Sequence, residues 1–511
     1  MAGLQSGRHR RFLFLAALET GISVVVTTSR QNILLETNLN GRSVTVMGLG
    51  TFGGAAGAVE FLCRRGARVT VSDLRDSSEL AQQVDRLDKL PGHRIDWRLG
   101  EHRREDFVEA ELVVVNPAVP IDSPWLELAT RCGARLTTEI GLFWEVCPAR
   151  TIAVTGSNGK STTTAMIHSI LEASGQTAWL GGNIGGSLLP RLDSIGSDDW
   201  VVLELSSFQL EHLDRQHAAA DIAVVTNFTP NHLDRHGTLD AYRHAKQAIL
   251  RWQSTDAACV LSELDPDVAA WPVESRRFGF GQAVGQGVGQ GVFLSAVEPQ
   301  TAVVRLGGME AEIPLGHWVD GPGFHNRLNA AAATAAALLA GADISDVRHG
   351  LEQFIGLPHR LQLVARRDGL CFYNDSLATT PESVEVALAS FDSPVVLLAG
   401  GYDKRVSLEG LAESIAGGAR AVALMGQTAE AVDGLLDELS FGGLRRVCGS
   451  LEEAVGWAVE QSESGDNIVL SPGCASYDWF RSFRERGDEF TRLVGGTYSG
   501  TLPSAPGTSC T

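Results

Sequence analysis

The pattern of hydrophobic and polar positions predicts short apolar strands that alternate with helices, with glycine-rich turns between them. An apolar strand over residues 43–47 runs into the turn 48–54, and an Ala-rich helix then leads to a second strand that ends at Asp73. Strand, turn, helix and strand in this order are typical of a parallel sheet with helical crossovers. With a further strand at 111–115, the pattern predicts a Rossmann-like first domain over residues 41–148.

The same rhythm restarts with a buried strand at 151–154, which runs directly into a second glycine-rich turn. Later apolar strands at 200–204 and 222–226 each end in polar residues, and the Ala-rich run 329–340 is typical of a packed helix. This order of elements predicts a P-loop ATPase-like central domain over residues 149–356.

A third block repeats the alternation of strand, loop and helix. Its apolar strands, 394–399, 421–425 and 467–470, are each followed within two residues by Gly or Pro. A parallel sheet of this kind places ligand-binding loops at the strand ends. We therefore predict a Rossmann-like C-terminal domain over residues 357–499, and an α/β protein of three domains as a whole.

The remaining segments predict little regular structure. Residues 8–11 are basic and precede a short apolar run, which resembles the start of a signal peptide but lacks a small-residue cleavage site. We predict a disordered extension or a misassigned start over residues 1–40, and a disordered tail over residues 500–511. The Gly-rich stretch 281–291 is predicted to be a surface connection.

Composition and charge narrow the classes of partner. The 511 residues are 44% hydrophobic and 20% charged, with a formal net charge of -19, which argues against a nucleic-acid or membrane-surface binder. Eight cysteines are scattered without C-x-x-C or zinc-like spacing, and no apolar run approaches the ~20 residues of a spanning helix. We expect a soluble cytoplasmic protein without structural disulfides.

The turn that opens the central domain has the parts of a nucleoside triphosphate site. Glycines let backbone N–H groups approach phosphates, a lysine reaches the terminal ones, and a hydroxyl can bind Mg²⁺. Val154 stands where the strict P-loop pattern has its first glycine. The predicted phosphate-binding residues are Gly156, Ser157, Asn158, Gly159, Lys160, Ser161 and Thr162.

Three further residues follow strands or helices of the central domain. Glu204 ends a strand, His232 follows the next strand along the chain, and Lys246 lies on a predicted helix. Taken singly, each is more often a solvated or structural residue than a ligand. Beside a phosphate loop, however, a carboxylate such as Glu204 is the type of group that a hard cation needs.

The order of these motifs resembles the Mur ligase family and its relative folylpolyglutamate synthase. The family carries a T-G-[ST]-N-G-K-[ST]-T loop, an E-x-S-S-F-Q segment, N-[ILV]-x-x-D-H-x-D-R, a downstream lysine and H-N-x-x-N. In this chain these motifs occupy residues 155–162, residues 204–209, residues 227–235, Lys246 and residues 325–329. Phe228 and Asn231 depart from the third motif, where the family has an aliphatic residue and an aspartate.

The resemblance implies roles for these residues, with ATP and Mg²⁺ as cofactors. Lys160 would hold the triphosphate, Ser161 and Glu204 one Mg²⁺, and His232 with a carbamylated Lys246 the second. A carbamate supplies oxygens that Mg²⁺ prefers, whereas an ammonium does not. The nucleotide contacts would be Asn326, Asn329, Arg360 and Asp375.

Further segments resemble the MurD branch of the family, whose members add glutamate. They are G-G-N-I-G at 181–185, Y-N-D-S at 373–376, G-G-Y-D-K at 400–404 and the run 470–480. The resemblance implies that Asn183 lies along the muramoyl substrate. The implied glutamate-binding residues are Thr379, Lys404, Ser476 and Phe483.

The first glycine-rich turn leaves a second reading open. Gly48, Gly50 and Gly53, with Asp73 about twenty residues on, also fit a dinucleotide fingerprint, so we weigh an NAD-dependent dehydrogenase. The resemblance instead assigns this turn to the uridine diphosphate of the substrate. Its implied contacts are Thr51, Asp73 and Arg75.

The predicted function is an ATP-dependent ligase that adds glutamate to UDP-N-acetylmuramoyl-L-alanine, acting as a monomer on small-molecule substrates. Leu377 replaces a lysine found in most of the branch, and the D-S-[IL]-A-T-T-P form resembles a subgroup thought to include L-glutamate-adding members. We predict D-glutamate and leave the L isomer open. The alternatives are a sister Mur ligase, a folylpolyglutamate synthase-like ligase, and a non-catalytic P-loop protein.

Overall fold

The computed structural model describes residues 39–50, 53–90, 94–283, 289–298, 300–315, 324–354, 356–391, 393–403 and 407–495. Apart from Leu39 and Asn40, the predicted extension and tail lie outside these residues. The described chain forms three sheets with helices packed around them, which confirms the predicted α/β fold class.

The first sheet consists of β1 (Ser43–Met47), β2 (Arg68–Asp73), β3 (Ile95–Leu99), β4 (Leu112–Val115) and β5 (Arg135–Thr138). Its strands are all parallel in the order β3-β2-β1-β4-β5, so the connections change direction between β1 and β4. Ligands bind at such a switch point, outside the carboxyl ends of the strands. The helices are α1 (Gly54–Arg64), α2 (Ala81–Leu87), α3 (Arg104–Val108), α4 (Pro124–Arg131) and α5 (Glu139–Val146).

The central sheet has nine strands in the order 14-13-12-11-10-9-6-8-7. They are β6 (Arg150–Thr155), β7 (Ala178–Gly182), β8 (Trp200–Glu204), β9 (Ile222–Val225), β10 (Ala258–Ser262), β11 (Arg276–Gln282), β12 (Gly291–Leu294), β13 (Thr301–Leu306) and β14 (Met309–Pro314). Pairing is parallel from β7 to β12 and antiparallel from β12 to β14. Both ends of the predicted connection 281–291 therefore belong to strands.

The helices of the central domain lie around this sheet. They are α6 (Lys160–Ala173), α7 (Ser207–Arg215), α8 (Leu233–His236), α9 (Leu239–Arg251), α10 (Pro266–Ala269), α11 (Phe324–Leu339) and α12 (Ile344–Gln353), with a 3-10 helix at Leu189–Ser194. The Ala-rich α11 packs closely on α6 because its buried side chains are small. Among the described residues, no helix combines the length and apolar character that a membrane span requires.

The C-terminal sheet has six strands in the order 15-16-20-17-18-19. They are β15 (Gln362–Arg367), β16 (Leu370–Asn374), β17 (Val395–Gly400), β18 (Ala421–Met425), β19 (Leu444–Cys448) and β20 (Asn467–Leu470). Only the pair β15 and β16 is antiparallel. The helices are α13 (Pro381–Leu388), α14 (Glu409–Gly418), α15 (Ala429–Glu438), α16 (Leu451–Gln461) and α17 (Phe483–Leu493).

The hydrophobic core is divided unequally among the sheets. One cluster of buried side chains runs from Leu39 to Trp271 and joins the first sheet to one face of the central sheet. A second cluster, between Ile152 and Leu357, fills the other face of the central sheet. The C-terminal sheet has two clusters of its own. The first two sheets thus share apolar burial, while the third forms a separate unit.

Candidate active site

The candidate residues of the central domain meet because their strands are neighbours. β6 lies between β8 and β9, and all three are parallel, so their carboxyl ends meet at one edge. That edge receives the phosphate loop after Thr155, the carboxylate of Glu204 and the segment after Val225. The arrangement therefore follows from topology and not from nearness in sequence.

The phosphate loop is held in shape by the segment after β9. Asn227 accepts a hydrogen bond from the backbone N–H of Asn158 at 2.8 Å and donates to its carbonyl at 3.1 Å. Thr226 Oγ1 donates to the same carbonyl at 2.6 Å. Gly156 has φ +147°, and a Cβ there would lie 1.9 Å from Thr226 Oγ1. The loop can pass this close only because it has glycine at that position.

The loop ends where α6 begins, at a second glycine. Gly159 has φ +80°, and a Cβ there would lie 2.3 Å from Asn329 Oδ1. Lys160 opens the helix, and its Nζ donates to the carbonyl of Ser157 at 2.8 Å. Burial lowers the pKa of Lys160, which Glu204 partly offsets and Arg360 reinforces. A phosphate bound at the loop would offset the cost of burying the charged lysine, because it supplies negative charge.

Glu204 is a buried carboxylate with one oxygen paired and one unpaired. Only 1% of the residue is exposed. Its Oε1 accepts a hydrogen bond from Asn183 Nδ2 at 2.9 Å, whereas its Oε2 has no hydrogen-bond partner among the described residues. Buried carboxylate oxygens are normally paired or bound to metal. The unpaired oxygen therefore fits a cation, and Asn183 lies directly beside that position.

Lys246 is equally buried, on α9, with 1% exposure. Its Nζ donates to the carbonyl of Gly156 at 2.7 Å and lies 4.8 Å from the centre of the Tyr242 ring. Desolvation lowers its pKa well below the usual range, the nearby Lys160 lowers it further, and Glu204 opposes the shift. A lowered pKa increases the fraction of the lysine that is present as the neutral, nucleophilic amine.

His232 is exposed and lies near the same aromatic ring. Its ring centre is 6.1 Å from that of Tyr242 and 5.2 Å from that of Phe208. The backbone of His232 has φ +54°, a conformation rare for residues other than glycine. Strain of this kind is found at functional sites more often than elsewhere. His232 and Lys246 thus both lie near the ring of Tyr242, whose hydroxyl is 3.2 Å from Ser157 Oγ of the phosphate loop.

The residues implied for the nucleotide come from two domains. Asn329 accepts a hydrogen bond from Thr163 Oγ1 at 3.3 Å and donates to Asn326 Oδ1 at 3.4 Å. Arg360 reaches across from the start of the C-terminal domain, where its guanidinium donates to Ser161 Oγ at 3.2 Å. The structure therefore brings Asn326, Asn329 and Arg360 to the phosphate loop and α6.

Asp375 follows β16 and is buried. Burial raises its pKa to about 7, although Ser471 Oγ and the backbone N–H of Leu361 donate to it at 2.8 and 3.0 Å. Leu361 directly follows Arg360, so Asp375 fixes the backbone from which that arginine extends.

In the first domain, Asp73 stands at the carboxyl end of β2. It accepts hydrogen bonds from the backbone N–H of Leu49 at 2.8 Å and from the Arg75 guanidinium at 2.8 and 3.1 Å. Burial would raise the pKa of Asp73, but these hydrogen bonds outweigh it and lower the pKa. Asp73 therefore anchors the glycine-rich turn, while Thr51 lies outside the described residues.

The residues implied for glutamate lie on loops of the C-terminal domain. Ser476 is buried, and its carbonyl accepts hydrogen bonds from the backbone N–H groups of Trp479 and Phe480. Phe483 begins α17, and its carbonyl accepts a hydrogen bond from Ser376 Oγ at 2.7 Å. Thr379 is partly buried ahead of α13. Lys404 lies outside the described residues.

Sequence reasoning missed the buried guanidinium that joins these loops. Arg486 is 2% exposed and donates to both the hydroxyl and the carbonyl of Ser376, at 3.0 Å each. It also donates to the carbonyls of Cys474 and Ala475, and burial lowers its pKa to about 10. The available signal was its place on the face of α17 that also carries Phe483 and Phe490, where apolar residues are expected.

Comparison with known protein families gives three matches along the chain. The models are described as Mur ligase MurD-like, N-terminal domain, at residues 42–138; Mur ligase middle domain, at residues 154–337; and Mur ligase, glutamate ligase domain, at residues 359–474. Together they span most of the described chain in the order of its three sheets.

Curated relatives extend over nearly the whole length. The UDP-N-acetylmuramoylalanine–D-glutamate ligase of Symbiobacterium thermophilum is 39% identical over 438 residues, which cover 85% of this chain and 94% of the relative. The enzyme of the same name from Roseiflexus sp. is 40% identical over 473 residues, which cover 89% and 99%. The chain belongs to the Mur ligase family, which excludes the dehydrogenase reading of its first turn.

Solved structures agree with the fold. The UDP-N-acetylmuramate-alanine ligase MurC of Thermotoga maritima has a TM-score of 0.53 at 20% identity, covering 89% of this chain and 98% of that chain. A MurF structure from Acinetobacter baumannii has a TM-score of 0.52 at 18% identity, covering 89% and 91%. At these identities the likeness concerns the three-domain α/β architecture alone.

Proposed function

We propose that the protein adds glutamate, as the D isomer, to UDP-N-acetylmuramoyl-L-alanine in peptidoglycan precursor synthesis, with conversion of ATP to ADP and phosphate. The observation that carries the proposal is the convergence of Lys160, Glu204 and Lys246 at one phosphate loop. The relatives named for this reaction cover 85% and 89% of the chain, which supports the choice of substrate.

The reaction requires a carboxylate to become an acyl donor, and phosphorylation by ATP makes one of its oxygens a leaving group. The glutamate amine then attacks the acyl carbon, phosphate leaves, and the amine proton passes to solvent. The chain need supply no nucleophile of its own. Gly156 and Gly159 let the loop close around the phosphates, and Lys160 is placed to hold the terminal one.

The donor set fits Mg²⁺. Ser161 Oγ and the unpaired Oε2 of Glu204 are oxygens of the kind the ion prefers. When bound, the ion would offset the charge that develops on the transferred phosphoryl group. The described residues contain no cluster of three or more His, Cys, Asp or Glu side chains suited to a metal. A second ion would therefore depend on His232 and on oxygens added to Lys246.

Carbamylation would supply those oxygens. The neutral Nζ of Lys246 attacks the carbon of CO₂, an N–C bond forms, and the amine releases one proton to give an anionic carbamate. The depressed pKa of Lys246 favours this step because the attacking form is the neutral amine. The anion would also balance the positive charge of Lys160 beside it.

The remaining residues would hold the substrates. In our proposal, the uridine diphosphate contacts Thr51, Asp73 and Arg75. The muramoyl group lies along Asn183. The nucleotide would contact Asn326, Asn329, Arg360 and Asp375, and glutamate would contact Thr379, Lys404, Ser476 and Phe483.

We further propose that the enzyme works as a monomer in the cytoplasm. The central and C-terminal groups of candidate residues meet within one chain, where Arg360 donates to Ser161 Oγ at 3.2 Å. None of the seven described cysteines forms a disulfide with another described residue, which suits a reducing compartment.

The test is ATP-dependent phosphate release with UDP-N-acetylmuramoyl-L-alanine, with D-glutamate and L-glutamate offered separately. We expect turnover with the D isomer alone, and none in a Lys160→Ala control. Turnover with only the L isomer would overturn the proposed stereochemistry. That isomer is tested because Leu377 departs from the lysine found in most of the branch. No turnover with either isomer, but turnover with other amino acids or a folate acceptor, would replace the proposal by a sister ligase.

A further inference from the structure

Arg235 makes a contact between domains that the reaction scheme above does not use. It lies on the short helix α8, three residues after His232. Its guanidinium donates to three consecutive backbone carbonyls of the first domain, those of Pro117, Ala118 and Val119, at 3.3, 3.4 and 3.0 Å. A planar fork of N–H donors suits this row of acceptors, and an ammonium cannot reproduce it.

The loop that Arg235 holds, residues 117–119, lies beside the glycine-rich turn of the first domain. Asn116 precedes it, and its side chain donates to the carbonyl of Gly48 at 3.2 Å and accepts from the N–H of Ala118 at 3.0 Å. A Cβ at Gly48 would lie 3.0 Å from Asn116 Cβ, and one at Gly50 would lie 2.9 Å from Asn116 Nδ2. The loop is therefore packed and hydrogen-bonded directly against the turn.

The guanidinium of Arg235 also contacts the central site. It lies 5.4 Å from the centre of the Phe208 ring, within the segment that begins at Glu204. The same ring is 5.2 Å from the ring of His232. Arg235 thus joins the diphosphate turn, the metal-ligand segment and the histidine loop through one rigid group.

We infer that Arg235 is a positioning residue that holds the diphosphate turn of the first domain at a fixed distance from the phosphate loop. The inference rests on the proposed function, because the nucleotide-sugar substrate must span both turns to present its carboxylate. Loosening this link would weaken binding of that substrate and misplace its carboxylate. The ATP subsite, built on α6 and Arg360, would be unaffected.

The test is steady-state kinetics of Arg235→Lys with each substrate varied in turn. Loss of about two hydrogen bonds should raise KM for the nucleotide-sugar substrate about tenfold and lower kcat, with KM for ATP within about twofold of wild type. The control is Arg64→Lys, because Arg64 donates to the carbonyl of Pro190 at 3.3 Å across the same pair of domains but lies at the opposite end of α1 from the turn. The control should leave all three constants close to wild type.

Asn116→Ala breaks the same link from its other end and provides a second test if Arg235→Lys does not fold. It should raise the same KM, and the double variant should fall short of the product of the two single effects because both act through one loop. Equal increases in both KM values, unchanged kinetics, or independent effects in the double variant would overturn the inference. Absence of turnover in the wild type would instead count against the proposed function.

Discussion

At the scale of single residues, Lys246 links burial most directly to chemistry. We expect Lys246→Ala to lower kcat by roughly a hundredfold or more, because the oxygens of the proposed carbamate would be lost with the side chain. Short carboxylates such as acetate or formate should restore part of the activity by filling the vacated space with an anionic oxygen pair. The measurement is phosphate release with and without added carboxylate.

The exposed Lys89 provides the matched control, and Lys89→Ala should retain wild-type activity with no response to carboxylates. Full activity of Lys246→Ala would contradict the proposed role. Loss of activity without rescue would leave the lysine necessary but would remove the argument for a carbamate.

Asp375 should make stability depend on pH. Its folded pKa of about 7 lies above the usual aspartate value, so the folded state holds its proton after the unfolded state has lost it. Stability from this group is complete below the unfolded pKa and falls as pH rises toward about 7, by an amount on the order of 4 kcal/mol. Asp375→Asn, whose amide can keep both hydrogen bonds, should not show this loss.

Urea unfolding of wild type and Asp375→Asn at pH 5 and pH 8 gives the comparison. The variant should gain stability relative to wild type between the two values, while KM for ATP rises. Parallel pH dependence in the two proteins would show that the carboxyl group is ionised in the folded state across this range.

At the scale of elements, the glycines at the two ends of α6 allow the effect of a close contact to be distinguished from the effect of backbone strain. Both have positive φ, but a Cβ at Gly159 would collide with Asn329, whereas one at Gly175 would have no atom within 4 Å. Gly159→Ala should raise KM for ATP at least about tenfold, and Gly175→Ala should cost only the 1–2 kcal/mol or so of a left-handed residue, without a kinetic effect. Similar kinetics in the two variants would contradict this account of the loop.

In α17, Arg486 fixes two loops of the C-terminal domain against the helix. Arg486→Met should raise KM for glutamate more than KM for ATP, because it releases the loops that carry Ser376 and Ser476 from the helix. It should also destabilise the domain by about 3–5 kcal/mol, since four buried acceptor positions lose a charged donor. The control is Arg492→Met on the same helix, where the guanidinium is largely exposed and pairs only with Glu489 among the described residues. Equal changes in the two variants would remove the special role of Arg486.

A strand can be predicted from the sequence where its own hydrophobic pattern identifies it, and not where only its pairing with a neighbouring strand does. Strands such as β1, β6 and β20 are short apolar runs ahead of Gly or Pro, and local pattern is enough to identify them. The edge strand β19 has the sequence Leu-Arg-Arg-Val-Cys and is mostly exposed, so its pattern does not distinguish it from a loop. Likewise, β11 ends and β12 begins within the low-complexity stretch 281–291, whose repeated glycines hide the strand pattern.

The site divides in the same way. Lys160, Glu204 and Lys246 could be predicted because their motifs occur in a fixed order along the chain. Asn183 beside Glu204, Arg235 beside residues 117–119 and Arg486 beside Ser376 depend on contacts between segments distant in sequence. A single sequence does not record such pairs, because each partner is a backbone carbonyl or a common side chain.

At the scale of the whole molecule, the division of the core predicts how the protein unfolds. The first and central sheets share one cluster of buried side chains, and the C-terminal sheet has its own two. Units with separate cores unfold separately unless their interface is large. Calorimetry of the full chain should therefore show two transitions, of which Arg486→Met lowers only one and Arg492→Met neither.

Nucleotide should raise the temperatures of both transitions, because its implied contacts lie on both units. Asn326 and Asn329 belong to the central domain, while Arg360 and Asp375 belong to the C-terminal domain, and Arg360 already reaches Ser161. ADP with Mg²⁺ stabilises whichever folded units it binds, so saturating ligand should raise the transition that Arg486→Met lowers as well as the other. If ADP raised only the transition insensitive to Arg486→Met, the nucleotide would be held by the central domain alone. Arg360 would then act on the phosphate loop without closing the C-terminal domain over it.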